Sequence, residues 1–477
     1  MASETPSWNS DRTETALASL VDGDPDGDVT AVADRRVTVS VAEPANENCQ
    51  HALFTTVNLL ARLHPIVGEV VVALPHDADR EVHVPGVDTG TVGESVAELD
   101  ALIGSPVTVR QTVETDGADA TLHLGTGASD ATVSVGSDGW LVHTATDGTA
   151  TPFSDQVNPV GSYAAACMGV AEVFKAVLRE SVGEESIRGR LTPVESVTFS
   201  TYDYSVDRAS PANPELPDIV NLHNLNVVGV GAGGGALVQT LSALDAVRGT
   251  IRLVDSDEVS ASNLNRYIWA YRRDVGSMKA KVGKRVVVDA HPALTFSVKA
   301  HPEPYIQFSD RVDPDALELV VSAVDTVRAR KQIQWDFPET ILDAATNQQG
   351  DYVVLRVAFG EGQCLACKHQ GRQDGVTREM SVLSDQIGLE TETLVDMNTD
   401  NAAFTQEQVD QIAAYVDDND ITVPEPGERF SDWFRLHCGH IDLGGADMEV
   451  PVPFLPVTAG VLLAGEVIKK RHFPDAV

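Results

Sequence analysis

The run Val227-Val-Gly-Val-Gly-Ala-Gly-Gly-Gly-Ala-Leu, near the middle of the chain, constrains the fold more than any other segment. It reads as a glycine-rich turn between an apolar strand and a helix, and Gly229, Gly231 and Gly234 give it the G-x-G-x-x-G spacing. Such a turn lets backbone N–H groups approach a phosphate at the positive end of the helix dipole. The expected order is a strand at Asn226–Val230, a helix at Ala236–Leu244 and a second strand at Thr250–Val254 that ends at Asp255. That carboxylate lies about twenty residues past the loop, where a mononucleotide fold places its ribose-hydroxyl ligand. The pattern points to an α/β fold and a nucleotide.

Glycines and one acid do not say which nucleotide, because they fit a nicotinamide-dependent oxidoreductase as well as an ATP site. The residues after Asp255 narrow the choice. Arg266 and Lys279 follow it, Lys281 and Lys284 lie beyond, and three of the chain's nine lysines fall between 279 and 284. The pyrophosphate of a nicotinamide cofactor is satisfied by the helix N-terminus. A triphosphate under attack needs its charge neutralised. The bland alternative for such a cluster is a solvated charged face.

The full pattern, Asp255-x-Asp257-x5-Asn263-x-x-Arg266-x12-Lys279 behind G-x-G-x-x-G, resembles the adenylating enzymes of the ThiF/MoeB/ubiquitin-activating family. Asp325, in Val320-Val-Ser-Ala-Val-Asp-Thr, extends the match. The resemblance is close over Leu225–Ala345 and weaker toward the C-terminus. It implies a Rossmann-like adenylation fold that uses ATP and magnesium. Its substrate would be the C-terminal carboxylate of a ubiquitin-like protein, a sulfur carrier or a peptide. Asp255 would hold the ribose, Asn263, Arg266 and Lys279 would surround the phosphates, and Asp325 would bind magnesium. Two positions depart from the family: Ala232 stands where a second glycine is usual, and Thr326 where asparagine usually follows the metal-binding aspartate.

The first half shows a similar order of elements. A strand at Val37–Val41, a helix at Ala52–Leu63 and a strand at Glu69–Leu74 parallel the elements around the glycine run, and Ala120–Leu124 parallels Leu317–Val324. Each half closes on a helix with a proline entry and a Glu-Val-apolar-Lys end, Glu172 to Lys175 and Glu466 to Lys469. The expected organisation is two pseudo-repeated halves. Residues 1–190 form a degenerate Rossmann-like half, 191–222 a connector, 223–345 the ATP-binding adenylation core, and 346–477 a C-x2-C and crossover region with the closing helix. In the first half the loop Glu43-Pro-Ala-Asn-Glu-Asn-Cys-Gln has no glycine cradle. That resembles the inactive half of large ubiquitin-activating enzymes, in which a basic residue of the partner half reaches the phosphates. Arg12, Arg35 and Arg36 are candidates for it by position alone. In the resembling family, chain inserted where the irregular stretch Arg372–Arg429 falls crosses the active site and touches the incoming protein substrate; a surface excursion is the alternative. The stretch carries one clearly signalled helix, with Thr405 as N-cap, Gln408 closing a capping box and a Phe404/Val409 staple.

Five cysteines, Cys49, Cys167, Cys364, Cys367 and Cys438, form no disulfide framework and fit a reducing cytoplasm. Cys364-Leu-Ala-Cys367 is half of a structural zinc site by spacing. Family members often complete it with a second C-x2-C, which this chain lacks. Cys438 and His440 would complete a Cys3His set, with His369 as a substitute, and a redox pair or plain thiols are the alternatives. Cys438 also competes as the acceptor thiol of a thioester, since a thiolate is a good nucleophile. Cys49 and Cys167 read as buried.

The leading expectation is an ATP-dependent adenylyltransferase. It acts on a small ubiquitin-like or sulfur-carrier protein or a peptide, with a conjugating or sulfurtransferase partner downstream. A partner-binding scaffold with an idle nucleotide fold and a nicotinamide-dependent oxidoreductase are the rivals. The N-terminus lacks a basic start and an apolar core, and the apolar runs are short, so neither a secretory signal nor a membrane span is expected. The net charge of −37, from 71 acidic against 34 basic residues, disfavours nucleic acid and anionic membrane as partners. Acid spread along the whole chain fits adaptation to high salt, where screening relieves self-repulsion. Dialysis to low salt, followed by circular dichroism, should then show loss of structure; full stability there would remove the halophilic reading.

Overall fold

The computed structural model describes residues 33–75, 82, 90–112, 117–127, 130–182, 193–291, 296–346, 352–360, 362–368, 380–381, 383–384, 386–400, 402–416, 423–430, 433, 452–474 and 476. The chain divides into two compact units, Met1–Gly362 with Val450–Val477, and Gln363–Glu449.

The larger unit is built on two sheets. The first contains β1 (Arg35–Val41), β2 (Val67–Ala73), β3 (Thr108–Thr112), β4 (Ala120–Leu124), β5 (Val133–Asp138), β6 (Leu141–Ala145) and β7 (Ser196–Ser200), in the order β3-β2-β1-β4-β5-β6-β7. Helices α1 (Glu47–Leu60), α2 (Val92–Ile103) and α3 (Pro159–Val182) accompany it. The second contains β8 (Val220–Val228), β9 (Val247–Val254), β10 (Ser297–His301), β11 (Leu319–Ser322), β12 (Thr340–Thr346) and β13 (Tyr352–Ala358), in the order β10-β9-β8-β11-β12-β13. Its helices are α4 (Ala232–Ser242), α5 (Lys279–Ala290), α6 (Tyr305–Ser309) and α7 (Val327–Trp335). In both sheets the first five strands run parallel and the sixth turns antiparallel. The two sheets are therefore organised alike, as the element order in the sequence led us to expect.

Parallel strands are covered on both faces, so they read as apolar runs rather than alternations. Leu225, Val227 and Val228 in β8 are buried accordingly, and in β1, where Val37, Val39 and Val41 alternate with polar residues, Thr38 is buried with them. Asn226 is the polar exception in the centre of β8. It is fully buried, and its amide donates to the carbonyls of Ala316 (2.7 Å) and Leu319 (3.1 Å), tying β8 to the approach to β11.

The expected helix at Ala236–Leu244 starts four residues earlier, so Gly233, Gly234 and Gly235 lie inside α4. Glycine weakens a helix interior, but close packing overrides propensity here. A Cβ on Gly234 would lie 2.0 Å from the carbonyl oxygen of Gly229, and one on Gly235 would lie 1.7 Å from Nε1 of Trp269.

Helix α3 is long and apolar enough to cross a bilayer by length and composition, but 78% of its apolar window is buried within the protein, as in a core helix. The closing helix of the second half, α11 (Phe454–His472, numbered after the three helices of the smaller unit), packs against α4, α3 and β12. Gly460 permits this approach, since a Cβ there would lie 2.2 Å from the carbonyl oxygen of Gly233. The repeated Glu-to-Lys ends of α3 and α11 are both i,i+3 ion pairs, Glu172–Lys175 at 2.6 Å and Glu466–Lys469. Lys469 is fully buried and also donates to the carbonyls of Thr201 (3.3 Å) and Tyr202 (2.8 Å), just past β7. Glu466 accepts from Tyr204 Oη (2.7 Å) and pairs with Arg356 (2.8 Å), so the second half's last helix is anchored in the first half.

The smaller unit contains α8 (Leu365–Lys368), α9 (Thr391–Asp400) and α10 (Gln406–Tyr415). The stretch read as irregular has its own core, including Met380, Leu383, Leu394, Phe404, Ile412 and Trp433. The α10 capping box forms as expected: Gln408 N donates to Thr405 Oγ1 (3.3 Å) and Thr405 N to Gln408 Oε1 (2.9 Å). Phe404 and Val409 are both buried. Gly460→Leu should overpack the α4–α11 contact and destabilise the larger unit by about 3 kcal/mol, read from urea unfolding; unchanged stability would contradict the close approach.

Candidate functional site

Strand β8 lies between β9 and β11, and the connections leave it in opposite directions, first to β9 and then across to β11. That reversal opens a crevice at the carboxyl ends of β8 and β11, where doubly wound sheets bind ligands. Gly229 turns the chain there with φ +85°, and its N–H donates to the carbonyl of Val254 at 2.9 Å. A Cβ on Gly229 would sit 2.6 Å from the carbonyl oxygen of Ala323 at the end of β11. Gly231 is the N-cap of α4 and supplies no side-chain cap, so the first N–H groups of α4 stay available to an anion.

The matching turn of the first half is occupied by its own side chains. Asn46 caps α1 by accepting from Cys49 N at 3.1 Å, and Glu47 stands in its first turn. The Glu43 carboxylate accepts from the N–H of Thr126 (3.1 Å) and Phe153 (3.2 Å). The start of α1 is therefore capped by an amide side chain, where the start of α4 is left open.

In the second half Asp255 is held by two backbone donors, Val230 N at 2.7 Å and Asp257 N at 2.9 Å. Burial raises its pKa, and the opposing pull of Lys279 and these N–H groups does not cancel the rise. Lys279 opens α5 and is buried, with Nζ 2.8 Å from Asp257 Oδ2. Burial works against its charge, but Tyr267, Asp255 and Asp257 outweigh it and hold the ammonium above the usual lysine range. Arg266 donates to Ser262 O (3.1 Å) and Asn265 Oδ1 (2.9 Å).

One ring joins the two cations. Arg266 lies 5.5 Å and Lys279 5.8 Å from the centroid of Tyr267, within cation–π range. Tyr267 stacks on Trp269 at 5.3 Å, and Trp269 Nε1–H donates to Gly231 O at 3.0 Å, which fastens this loop to the glycine turn. Tyr267 and Trp269 were missed as site residues. Their signal was an aromatic pair in alternation immediately after Arg266.

Asn263 is nearly buried, and its Oδ1 accepts from Ser260 N at 3.0 Å, so this oxygen shapes the loop. Lys281 and Lys284 are exposed on α5 and stand apart from the Arg266–Lys279 pair. Asp325 is exposed just beyond β11, and the departing residue Thr326 caps α7 by accepting from Ala329 N at 3.2 Å. Threonine and asparagine are both good N-caps. The ends of β11 and β12 are pinned by buried Asp343, which accepts from Ser322 Oγ (2.6 Å) and Arg330 Nε (3.0 Å).

Arg35 and Arg36 sit at the amino end of β1, opposite the crevice end of their sheet. Arg35 pairs with Asp119 at 3.4 Å and Arg36 with Glu69, so neither is the basic residue sought from the first half. Arg12 lies outside the described residues. So do Cys438, His440, His369 and the side chain of Cys367, and Cys364 at the entry to α8 is half-buried. Among the described residues no group of three or more histidine, cysteine or acidic side chains is placed to hold a metal, and most of the expected zinc set lies outside them. Cys49 and Cys167 are buried as expected. Burial pushes the Cys49 thiol up and that of Cys167 to about 12, which removes both as thiolates near neutral pH.

A family model described as the ThiF family matches residues 214–471, over half of the chain. The chain belongs to the ThiF family. A model described as the BilD N-terminal domain matches residues 36–190, so the first half matches a different family model. Its reading as a degenerate copy of the second half rests on strand order and direction alone. The chain is 27% identical over 482 residues to the uncharacterized protein y4jF of Sinorhizobium fredii, across 96% of this chain and 86% of that one. It is 28% identical over 148 residues to the NEDD8-activating enzyme E1 catalytic subunit of Dictyostelium discoideum, covering 30% of this chain and 33% of that one. It is also 30% identical over 114 residues to ubiquitin-activating enzyme E1 1 of Schizosaccharomyces pombe, covering 22% of this chain and 11% of that one.

The raised pKa values give a stability test. Lys279 keeps its proton more tightly in the fold, so its contribution is complete below the ordinary lysine value and is lost as pH rises through the folded one. Asp255 also titrates high, so the fold loses stability as pH rises through its folded pKa. Lys279→Met deepens the cost of ionised Asp255. It should lose roughly 1–3 kcal/mol at neutral pH, and the gap to the wild type should narrow as pH falls below the carboxylate range. Urea unfolding across pH reads this, and a gap independent of pH would contradict it.

Proposed function

We propose that this protein is an ATP-dependent adenylyltransferase acting on the C-terminal carboxylate of a small ubiquitin-like or sulfur-carrier protein or a peptide. The observation that carries the reading is the pair of cations on one aromatic ring, fastened to an open glycine turn and placed after a ribose-type carboxylate. An idle dinucleotide fold has no use for that pair. Two relatives that match part of the chain carry activating-enzyme names, which supports the same chemistry.

In this reading Asp255 accepts from the ribose hydroxyls, and the N–H groups at the start of α4 meet the phosphates. The substrate carboxylate attacks the α-phosphorus, forms the acyl–phosphate bond and expels pyrophosphate. Arg266 and Lys279 neutralise the charge gathering on the leaving group, and Asn263 keeps their loop in shape. Asp325 is the residue that would hold magnesium, which binds through one or two carboxylates plus the phosphates and water and here supplies charge neutralisation. The closed turn of the first half leaves that half to buttress the site. A thiolate on this chain or on a partner then attacks the acyl carbon, forming a thioester as the acyl–phosphate bond breaks and AMP leaves. Cys438 is the candidate on this chain, lying between the C-x2-C pair and the last helix, and burial disqualifies Cys49 and Cys167. A conjugating or sulfurtransferase protein is the partner expected downstream.

ATP–pyrophosphate exchange should appear only with a suitable carrier present, and Arg266→Ala should lower it by about 10²–10³-fold. Exchange unaffected by that substitution sinks the mechanism. Nucleotide binding without exchange for any carrier encoded nearby would instead favour a partner-binding scaffold.

A further inference from the structure

The loop that carries Asn263, Arg266, Tyr267 and Trp269 is held by two side chains of the first half. Asn58 and Arg62 stand one turn apart at the end of α1, and Arg62 Nε donates to Asn58 Oδ1 at 2.7 Å. Asn58 Nδ2 donates to Ile268 O at 2.8 Å. Arg62 Nη2 donates to Ala270 O at 3.0 Å, and Nη1 donates to Leu264 O. Three carbonyls within seven residues are therefore fixed by one patch of α1. Tyr271, at the end of the same loop, places its ring 6.0 Å from the Arg62 guanidinium.

Packing alone does not account for this arginine. It is fully buried, and it meets two carbonyls, one amide oxygen and an aromatic ring rather than a carboxylate. Burial pulls its pKa down to about 10, the direction expected of a cation with too little compensating charge. A buried cation is expensive, and an apolar side chain of similar volume fills such a space at lower cost. What the guanidinium adds is direction: its planar fork orients carbonyls on either side of Arg266 at once.

We infer that Arg62 and Asn58 are positioning residues for the nucleotide site. They set the loop from the first half so that Arg266 faces the β- and γ-phosphates beside Lys279. This rests on the adenylation reading above. It gives the first half a defined part in the reaction without any contact to the nucleotide. Loss of the clamp should spoil recognition of the outer phosphates more than recognition of the nucleoside, which depends on Asp255.

The test measures binding of Mg·ATP and of AMP by calorimetry, using the full chain and the variants Arg62→Met, Asn58→Ala and Tyr163→Phe. Tyr163 also lies between the halves, bonded to Gln239 of α4 rather than to the loop. Arg62→Met should weaken Mg·ATP roughly ten- to hundredfold and AMP much less, so the ratio of the two affinities falls. Tyr163→Phe should leave both affinities as in the wild type. Asn58→Ala removes the bond to Ile268 and the acceptor of Arg62 Nε but leaves Arg62 its two carbonyls; it should shift the ratio the same way by less, and it carries the test if Arg62→Met does not fold. An unchanged ratio in a folded Arg62→Met, or in Asn58→Ala where only that variant folds, overturns the positioning role while leaving the adenylation reading in place. A wild-type chain that binds neither nucleotide overturns both.

Discussion

The nucleotide crevice depends on backbone approaching backbone where no Cβ intervenes. Gly229 lies against the carbonyl of Ala323, Gly234 against that of Gly229, and Gly460 of the closing helix against that of Gly233. These three contacts join β8, β11, α4 and α11 around one point. Any larger side chain would separate the sheet from its helix or the helix from its neighbour. Two features of the site follow from that point. The start of α4 is left uncapped at the mouth of the crevice, and Trp269 reaches over Gly235 to bond Gly231.

A second constraint acts between the halves. Each closing helix carries a glutamate–lysine pair, and the buried pair on α11 takes its remaining partners from the end of β7 and from Arg356. Arg62 and Asn58 reach the opposite way, from α1 into the second half. Buried charges are tolerated at these junctions because nearly every donor meets an oriented oxygen. The halves are thus fastened by directed bonds as well as by apolar contact, and directed bonds specify one relative placement where a greasy surface would allow several.

The sequence was a good guide wherever a local rule held. The glycine turn, Asp255, the parallel strands, the Thr405 capping box and the two Glu–Lys helix ends all appear where the spacing put them. It erred at boundaries: β8 begins at Val220 and α4 at Ala232, because sheet pairing and helix packing extend elements past their apolar centres. It also misjudged Arg35 and Arg36, which nearness in sequence placed near the site and the strand direction placed at the far end. The stretch after Arg372 looked irregular because its apolar residues are widely spaced, and only three-dimensional contact gathers them into a core.

The sequence by itself determined the family and the order of strands and helices around the glycine turn, since these follow from residue types at fixed short spacings. Tertiary structure alone decided which cations share one ring and which part of the first half holds their loop. Arg266 and Lys279 meet because both reach the ring of Tyr267, and Lys281, two residues on, stays in solvent. Asn58 and Arg62 lie some two hundred positions before the carbonyls they orient. No local pattern marks such a bond, because its geometry exists only after two separately folded sheets have packed together.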